Sequence, residues 1–278
     1  MGPNLENDDA ESETNLKANK ARLIWLVNDD PSQLFVQKKL LGRLSFEVKA
    51  FSSPLALLNE VKTDPTCVNL VSDFHMPEMD GVELTRIWCT LYPNAKVLLL
   101  SASLLDSDEN RRVSTLPSSQ IRLLSDYRLP DFLEVAKEWL SDKNSETSAQ
   151  KGNGDNAPSL SHDVALDPTV CEKLLELGGS DFLQKTLKRF TEKLPERFRI
   201  MDESLKNRDF DTLRRQAHSL KGSCGLVGAQ AMISLATKVE NLAKKETTEN
   251  LERSLLQLKQ CWEETKKELH LVALASNS

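Results

Sequence analysis

The sequence predicts an α/β unit followed by an all-α unit. Five short apolar runs alternate with segments of helical periodicity over residues 21–141, which is typical of a parallel sheet covered by helices on both faces. After a polar stretch rich in Ser, Asn and Gly, only long helical periods occur. We therefore expect two domains joined by a linker, as the length of 278 residues also favours.

The first domain, 21–141, has its elements in regular order. The predicted strands are 22–27, 46–51, 68–73, 96–102 and 120–124. The predicted helices are 31–44, 54–61, 81–91, 107–113 and 131–140. Residues 1–20 are acidic and polar, and we expect them to be a disordered leader.

The second domain, 165–272, follows a linker predicted at 142–164. Its predicted helices are 167–177, 181–206, 209–227, 229–245 and 248–270, with Pro195 inside the second. Amphipathic helices of this length without strands pack as a helical bundle.

Composition excludes several classes of function. The net charge of -6 argues against a nucleic-acid binder, because phosphate contacts need a basic face. No apolar run approaches a membrane span, so we expect no membrane insertion. The N-terminus is unlike a signal peptide, and five cysteines without CxxC spacing indicate reduced thiols. These features predict a cytoplasmic protein.

The segment around His218 combines a core stripe with a nearly bare polar face. The predicted core positions of this helix are Phe210, Leu213, Ala217, Leu220, Cys224 and Val227. His218, Lys221, Gly222 and Gly225 fall on a neighbouring face, where we expect the imidazole to be exposed to solvent. Each glycine costs roughly 1 kcal/mol relative to alanine in a helix, and a surface without side chains lets another protein approach closely.

The C-terminal region resembles the histidine phosphotransfer (HPt) domain, a four-helix bundle of phosphorelays. The motif AHSLKGSCGLVGA (217–229) carries the resemblance, and LDPTVCEKLLELGGSDFLQKTLKRF (166–190) is similar to the entry segment. The resemblance implies that His218 carries a phosphoryl group and that Lys221 stabilises its oxygens. It also implies docking of a partner over Gly222, Gly225 and Leu220.

Carboxylates gather at the predicted strand ends of the first domain. DFHMPEMDG (73–81) follows the third strand, Asn28, Asp29 and Asp30 follow the first, and Ser101 ends the fourth. The carboxyl ends of parallel strands meet at one edge, and oxygen ligands there suit Mg²⁺. A carboxylate beside that cation can attack phosphorus. The alternative is that each Asp only caps a turn.

Residues 21–141 resemble the receiver domain of response regulators, which has a flavodoxin-like fold. IWLVNDDPSQ, VSDFHMPEMDGVEL and VLLLSAS are similar to its three main motifs, in order. The resemblance implies that Asp73 is the phosphoacceptor and Ser101 the hydroxyl that binds the phosphoryl group. The implied Mg²⁺ ligands are Asp29, Asp73, the main-chain carbonyl of His75 and, more weakly, Asn28. Pro77 and Gly81 match the turn into the next helix.

Two departures from the receiver pattern concern activity. Asn28 stands where the family has an acidic residue, and QIRLLSDYRLPDFL (120–133) lacks the lysine that pairs with the phosphoacceptor. Arg122 and Arg128 are the candidate substitutes, although a guanidinium differs from an ammonium in shape and hydration. The aromatic switch residue has no clear counterpart, but Tyr127 is nearby.

The resemblances together predict a two-component phosphorelay protein without a kinase of its own. Its partners would be sensor (hybrid) histidine kinases and other receivers, and the receiver would have at most weak autodephosphorylation activity. The alternative is a degenerate receiver that serves as a non-phosphorylated docking or regulatory module. A metal-dependent hydrolase of the haloacid dehalogenase type is disfavoured, because it needs DxD at the first strand and this chain has NDD.

Overall fold

The computed structural model describes residues 23–61, 69–127, 129–140, 166–246 and 248–276. The chain divides into two compact units, Met1–Asp142 and Lys143–Ser278. The predicted leader and the predicted linker lie outside the described residues.

The first unit is a five-stranded parallel sheet with helices on both faces. The strands are β1 (Leu23–Val27), β2 (Glu47–Phe51), β3 (Asn69–Asp73), β4 (Val97–Ser101) and β5 (Ile121–Ser125). The helices are α1 (Pro31–Arg43), α2 (Pro54–Val61), α3 (Gly81–Leu91), α4 (Ser107–Ser114) and α5 (Leu129–Leu140). The strand order is β2-β1-β3-β4-β5, so the predicted α/β architecture is confirmed.

The core of this unit lies between the sheet and its helices. On one face, Trp25 of β1 packs with Leu57 of α2 and Trp88 of α3, and the two indole centroids are 5.6 Å apart. Helices α1 and α5 contact each other, and Phe132 of α5 is fully buried. Burial on both faces explains the continuous apolar runs of the central strands.

Strand register brings polar residues to one edge of the sheet. Val27 pairs with Ser72, so Asn28 follows β1 where Asp73 ends β3. Ser101 ends β4 and pairs with Ser125 of β5. The carboxyl ends of these four strands therefore lie side by side, as the sequence predicts.

The second unit is a four-helix bundle of α6 (Pro168–Lys206), α7 (Phe210–Val227), α8 (Gln230–Lys244) and α9 (Thr248–Ala275). Each helix contacts two others: α6 with α7, α7 with α8, α8 with α9, and α9 with α6. Phe190 of α6 meets Trp262 of α9 edge to face at 5.8 Å. None of the described helices is long and apolar enough to cross a membrane.

The two helices predicted at 167–177 and 181–206 form one element with a break. Gly179 has φ 73° and ψ -178°, which is not helical. A Cβ at Gly178 would lie 2.1 Å from the Phe182 ring, so the break lets that ring enter the core. The glycine pair is thus explained by close approach as well as by backbone conformation.

Helix α7 has defined ends. Asp209 caps its first turn by accepting from the Thr212 N–H at 3.0 Å. Gly228, with φ 73°, ends it in the left-handed conformation that favours glycine. The Asp167 N–H donates to the Gly228 carbonyl at 2.7 Å, so the chain before α6 is attached to the end of α7.

Candidate functional sites

His218 and Lys221 of α7 share one carboxylate on the neighbouring helix α8. Nδ1 of His218 lies 2.7 Å from Oε1 of Glu240, and Nζ of Lys221 donates to Oε2 of the same carboxyl at 3.0 Å. The spacing of His218 and Lys221 places both on one side of α7, facing α8. The three side chains form a compact polar cluster.

The Glu240 carboxyl is held in its ionised form. Burial acts to raise its pKa, but the hydrogen bonds and charges of His218 and Lys221 outweigh this and lower the pKa to about 2. A carboxylate only accepts hydrogen bonds, so the ring proton of a neutral His218 resides on Nδ1. Nε2 then carries the nucleophilic lone pair.

The prediction that the His218 side chain is exposed to solvent is wrong. It is 4% exposed, and the Lys221 side chain is 11% exposed. Helical periodicity gives the direction of a side chain but not how far a neighbouring helix covers it, and here α8 supplies Glu240 over that face. The prediction that the two residues are neighbours is correct.

The predicted docking residues divide into two groups. A Cβ at Gly225 would meet no atom within 4 Å, and Gly225 is exposed while Gly222 is half-buried. Leu220 is 1% exposed and belongs to the bundle core, so its assignment to the docking surface is wrong. Its place in the core stripe already competed with that assignment.

Glu240 was missed because the sequence offers no local signal for it. It lies 22 positions after His218, on an amphipathic helix with two other charged residues, Lys238 and Lys244. Only the packing of α7 on α8 brings it to the imidazole.

In the first unit, Asp73 ends β3 beside other acidic residues. Burial raises the pKa of its carboxyl well above the usual range, and the Asp29 and Asp30 carboxylates add to the rise. The main-chain N–H groups of Phe74 and His75 act in the opposite direction. Like charges held close together in this way favour a cation or a proton at the site.

Asn28 and Asp30 have structural roles at the start of α1. Oδ1 of Asn28 accepts from the Asp30 N–H at 2.8 Å. Oδ1 of Asp30 accepts from the N–H groups of Ser32 and Gln33, both at 2.9 Å, and so caps α1. For Asp30, the capping interpretation is confirmed.

Ser101 lies at the expected strand end but its hydroxyl is engaged. The side chain is fully buried, and Oγ donates to the Ser103 carbonyl at 2.9 Å. The hydroxyl has one proton, so contact with a phosphoryl oxygen as a donor requires rotation away from Ser103.

Family models match both units. A response regulator receiver domain model matches residues 24–115, and an Hpt domain model matches residues 185–268. The chain therefore joins a receiver domain to an Hpt domain. This combination supports a two-component phosphorelay protein.

Similar curated proteins include a sensor protein and a DNA-binding transcriptional regulator. The chain is 21% identical over 222 residues to the sensor protein TorS of Escherichia coli, covering 78% of this chain and 22% of that protein. It is 33% identical over 79 residues to the transcriptional regulator NtrC of Proteus hauseri, which covers 28% of this chain and 16% of that protein. It thus spans less than a quarter of the length of either relative.

Solved receiver structures are also similar. A response regulator receiver domain protein of Clostridium thermocellum has 21% identity and a TM-score of 0.37, covering 42% of this chain and 92% of that one. The chemotaxis protein CheY4 of Vibrio cholerae has 17% identity and a TM-score of 0.37, covering 42% and 95%.

The receiver domain lacks its lysine, and the structure excludes one substitute. Arg122 is the second residue of β5, pairs with Leu98 away from the carboxyl end of the strand, and is exposed, so the prediction that it could replace the lysine is wrong. Arg128 lies outside the described residues. Tyr127 instead approaches the site, where its phenol accepts from Nε2 of Gln37 at 3.0 Å.

The receiver's oxygen donors fit Mg²⁺ chemically. Asp29 and Asp73 are close enough for one charge to raise the pKa of the other carboxyl, a repulsion that a divalent cation relieves. The carbonyl of His75 is the third expected oxygen ligand, and Mg²⁺ keeps water in its other positions. In the described ranges, no three or more His, Cys, Asp or Glu residues are grouped so that they could hold a metal ion.

The His75 side chain points to a different partner. Its Nε2 lies 2.8 Å from Oε1 of Glu109 on α4, while Oε2 of Glu109 accepts from the Asp106 N–H in a capping box. The imidazole therefore connects the loop after Asp73 to the start of α4.

Proposed function

We propose that this chain is a phosphotransfer protein in which His218 receives a phosphoryl group from one receiver aspartate and passes it to another. The observation that carries the proposal is the contact of Glu240 with Nδ1 of His218, inside the range that the Hpt model matches. That contact supports Nε2 as the reacting atom.

The transfer balances without moving a proton. Nε2 attacks phosphorus of an aspartyl phosphate, the N–P bond forms, and the O–P bond breaks with its electron pair going to the aspartate. Nδ1 keeps its proton, so the phosphorylated ring is cationic and the ionised Glu240 stabilises it. In the reverse direction, a carboxylate oxygen attacks phosphorus and the electron pair returns to Nε2.

Lys221 supplies further positive charge at the site. Its ammonium has three donors and uses one on Glu240, which supports a second contact with a phosphoryl oxygen. The open surface at Gly225 supports close approach of a partner receiver.

We propose Asp73 as a second phosphoacceptor, with Asp29 and the His75 carbonyl as Mg²⁺ ligands and Asn28 as a weaker one. The bound cation would neutralise charge that develops on the transferring group. The engaged Ser101 hydroxyl and the missing lysine favour the second candidate function, a receiver that docks or regulates without being phosphorylated.

The proposed partners are sensor (hybrid) histidine kinases and other receivers, which supply and consume the phosphoryl group in the cytoplasm. The two matched domains are a receiver and an Hpt domain, and we propose that they relay phosphoryl groups rather than draw them from ATP.

The test incubates the full chain with phosphoramidate or acetyl phosphate and Mg²⁺ and reads the label by intact mass and by acid or base lability. A label that is lost in acid and absent in His218→Gln supports the Hpt role. His270→Gln, which changes an exposed histidine of α9, is the matched control and should keep the label.

The same experiment tests the second acceptor. An acyl phosphate that disappears in Asp73→Ala supports phosphorylation of Asp73. If only the acid-labile label forms, the docking function is favoured; if neither forms, phosphotransfer is refuted.

A further inference from the structure

The two departures of the receiver from its family pattern are joined by one buried side chain. Gln37 of α1 is 1% exposed and contacts both Asn28, after β1, and Tyr127, after β5. Asn28 stands where the family has an acid, and Tyr127 follows the strand where the family has a lysine. Neutral groups therefore stand at or near the positions of an acid and a lysine of the family, and both are hydrogen-bonded to Gln37.

The Asp30 main-chain N–H fixes the direction of these hydrogen bonds, because it determines which atom of the Asn28 amide faces Gln37. The Asp30 main-chain N–H can only donate, and it donates to Oδ1 of Asn28 at 2.8 Å. Nδ2 of Asn28 therefore faces Gln37 and donates to Oε1 at 3.4 Å. Nε2 of Gln37 is then left to donate to the Tyr127 phenol at 3.0 Å.

This direction determines where the phenolic proton goes. Because the Tyr127 oxygen accepts from Gln37, its own proton must point to another group. Among the described residues, the Tyr127 hydroxyl donates no hydrogen bond. Ser125, two positions earlier, pairs with Ser101 at the edge where Asp73 ends β3.

We propose that Asn28, Gln37 and Tyr127 form a neutral relay that directs the Tyr127 phenolic proton into the Asp73 pocket, where it donates to phosphoryl oxygens in place of a lysine. The inference rests on the proposed role of Asp73 as a phosphoacceptor. Tyr127 is the hydrogen-bond donor, and Gln37 and Asn28 are positioning residues. The Asp73 carboxylate also acts, after burial, to raise the pKa of the phenol, so the donor stays protonated.

The relay explains why a carboxylate within it would be harmful. An ionised carboxylate at position 37 only accepts, so in Gln37→Glu the phenol donates to that carboxylate and its proton leaves the Asp73 pocket. Gln33→Glu is the matched control, because Gln33 is also buried on α1 but lies outside the relay.

The first measurement follows the hydrogen bond of the phenol itself. The chain has two tyrosines, so Tyr92→Phe leaves Tyr127 as the sole source of the tyrosine Fermi doublet in the Raman spectrum. We expect the doublet of a phenol that accepts a hydrogen bond, and a shift towards a phenol that only donates when Gln37→Glu is added but not when Gln33→Glu is added. A doublet that already reports donation alone overturns the relay.

The second measurement is the rate at which acetyl phosphate and Mg²⁺ label Asp73. A hydrogen bond to a charged group is worth about 1.5–3 kcal/mol, so we expect Tyr127→Phe to lower the rate about 10- to 100-fold. Gln37→Glu should lower it similarly although the tyrosine remains, and Gln33→Glu should not. If Asp73 is labelled and Tyr127→Phe does not change the rate, the relay alone is refuted.

If the parent chain gains no label at Asp73, the acceptor role is refuted and the inference with it. The Raman result shows separately whether the hydrogen bonds of the relay have the stated direction.

Discussion

Glu240 accepts from Nδ1 of His218 across the α7–α8 interface, and so selects which ring nitrogen can react. A carboxylate at 2.7 Å favours the proton on Nδ1 of the free ring, and it would do the same in the ring phosphorylated as proposed. If His218 carries the phosphoryl group as proposed, its reactivity then depends on Glu240, a residue of the neighbouring helix that does not itself react.

Glu240→Ala is expected to slow phosphorylation of His218 about tenfold or more, because the ring loses its orientation and the phosphorylated ring loses a counter-charge. Glu240→Gln retains an oxygen acceptor and should be affected less. The initial rate of acid-labile labelling by phosphoramidate measures both. Equal rates in the two variants and the parent would show that Glu240 does not position the imidazole.

The lowered pKa of Glu240 predicts an acid-sensitive bundle. Since the folded pKa of about 2 lies below the ordinary value of 4.5, the stabilisation is complete above pH 4.5 and is lost as the pH falls through about 2. The stabilisation that Glu240 contributes through this pKa shift is at most about 3 kcal/mol. Calorimetry of the bundle transition should show a Glu240→Gln deficit at pH 7 that shrinks by pH 3. The exposed Glu263→Gln is the control, and a deficit independent of pH would contradict the linkage.

The raised pKa of Asp73 predicts that its ionised carboxylate destabilises the receiver, whereas the Glu240 carboxylate stabilises the bundle. The ionised carboxylate is disfavoured in the folded receiver, so Asp73→Asn should stabilise it at neutral pH, on the order of 1 kcal/mol. The gain should be absent below the ordinary pKa of 3.8 and grow as the pH rises. Mg²⁺ should reduce the gain by offsetting the repulsion. Thermal unfolding checks this against Asp126→Asn at an exposed turn, which should change little; destabilisation by Asp73→Asn would be inconsistent with the crowded carboxylates.

Gly81→Ala should disturb the Asp73 strand end. A Cβ there would lie 2.2 Å from the Asp73 carbonyl oxygen and 2.7 Å from Cδ1 of Leu99, so the backbone must shift. We expect a loss of about 1–3 kcal/mol in the unfolding free energy of the receiver. Gly42→Ala in α1, where a Cβ meets nothing within 4 Å, is the matched control. Equal unfolding midpoints for the two variants would argue against the close approach.

Gly225→Gln should separate docking from chemistry. The added side chain points into open space, so the bundle should remain folded and gain helix propensity. Transfer from a phosphorylated partner receiver should fall at least about tenfold, while labelling by phosphoramidate stays near the parent rate. Gly42→Gln is the control for adding the same side chain elsewhere. If transfer from the partner receiver is unchanged, the surface at Gly225 is not used for docking.

The elements were predictable because their ends carry local signals. Asp30 and Asp80 cap the starts of α1 and α3, and Gly228 ends α7 in the left-handed conformation. Each of these signals depends on only one or two residues. The candidate site residues were named from motifs of the same short range, and their chemical roles stay predictions.

The partners of those residues were not predictable, because each comes from a different element. Glu240 reaches His218 only through helix packing, and Gln37 reaches Tyr127 only because α1 and α5 lie on one face of the sheet. Periodicity reports the direction of a side chain on its own helix, so it also failed to show that α8 covers His218.

The Asp167 contact at the end of α7 sets the length of a fragment that retains the His218 site intact. The Gly228 carbonyl depends on the Asp167 N–H, and the Asp167 carbonyl fills the space that a side chain at position 228 would need. A fragment limited to the matched range 185–268 would lack Asp167 and its hydrogen bond to Gly228, so the C-terminal turn of α7 would fray. Expression of the bundle by itself should therefore begin before Asp167.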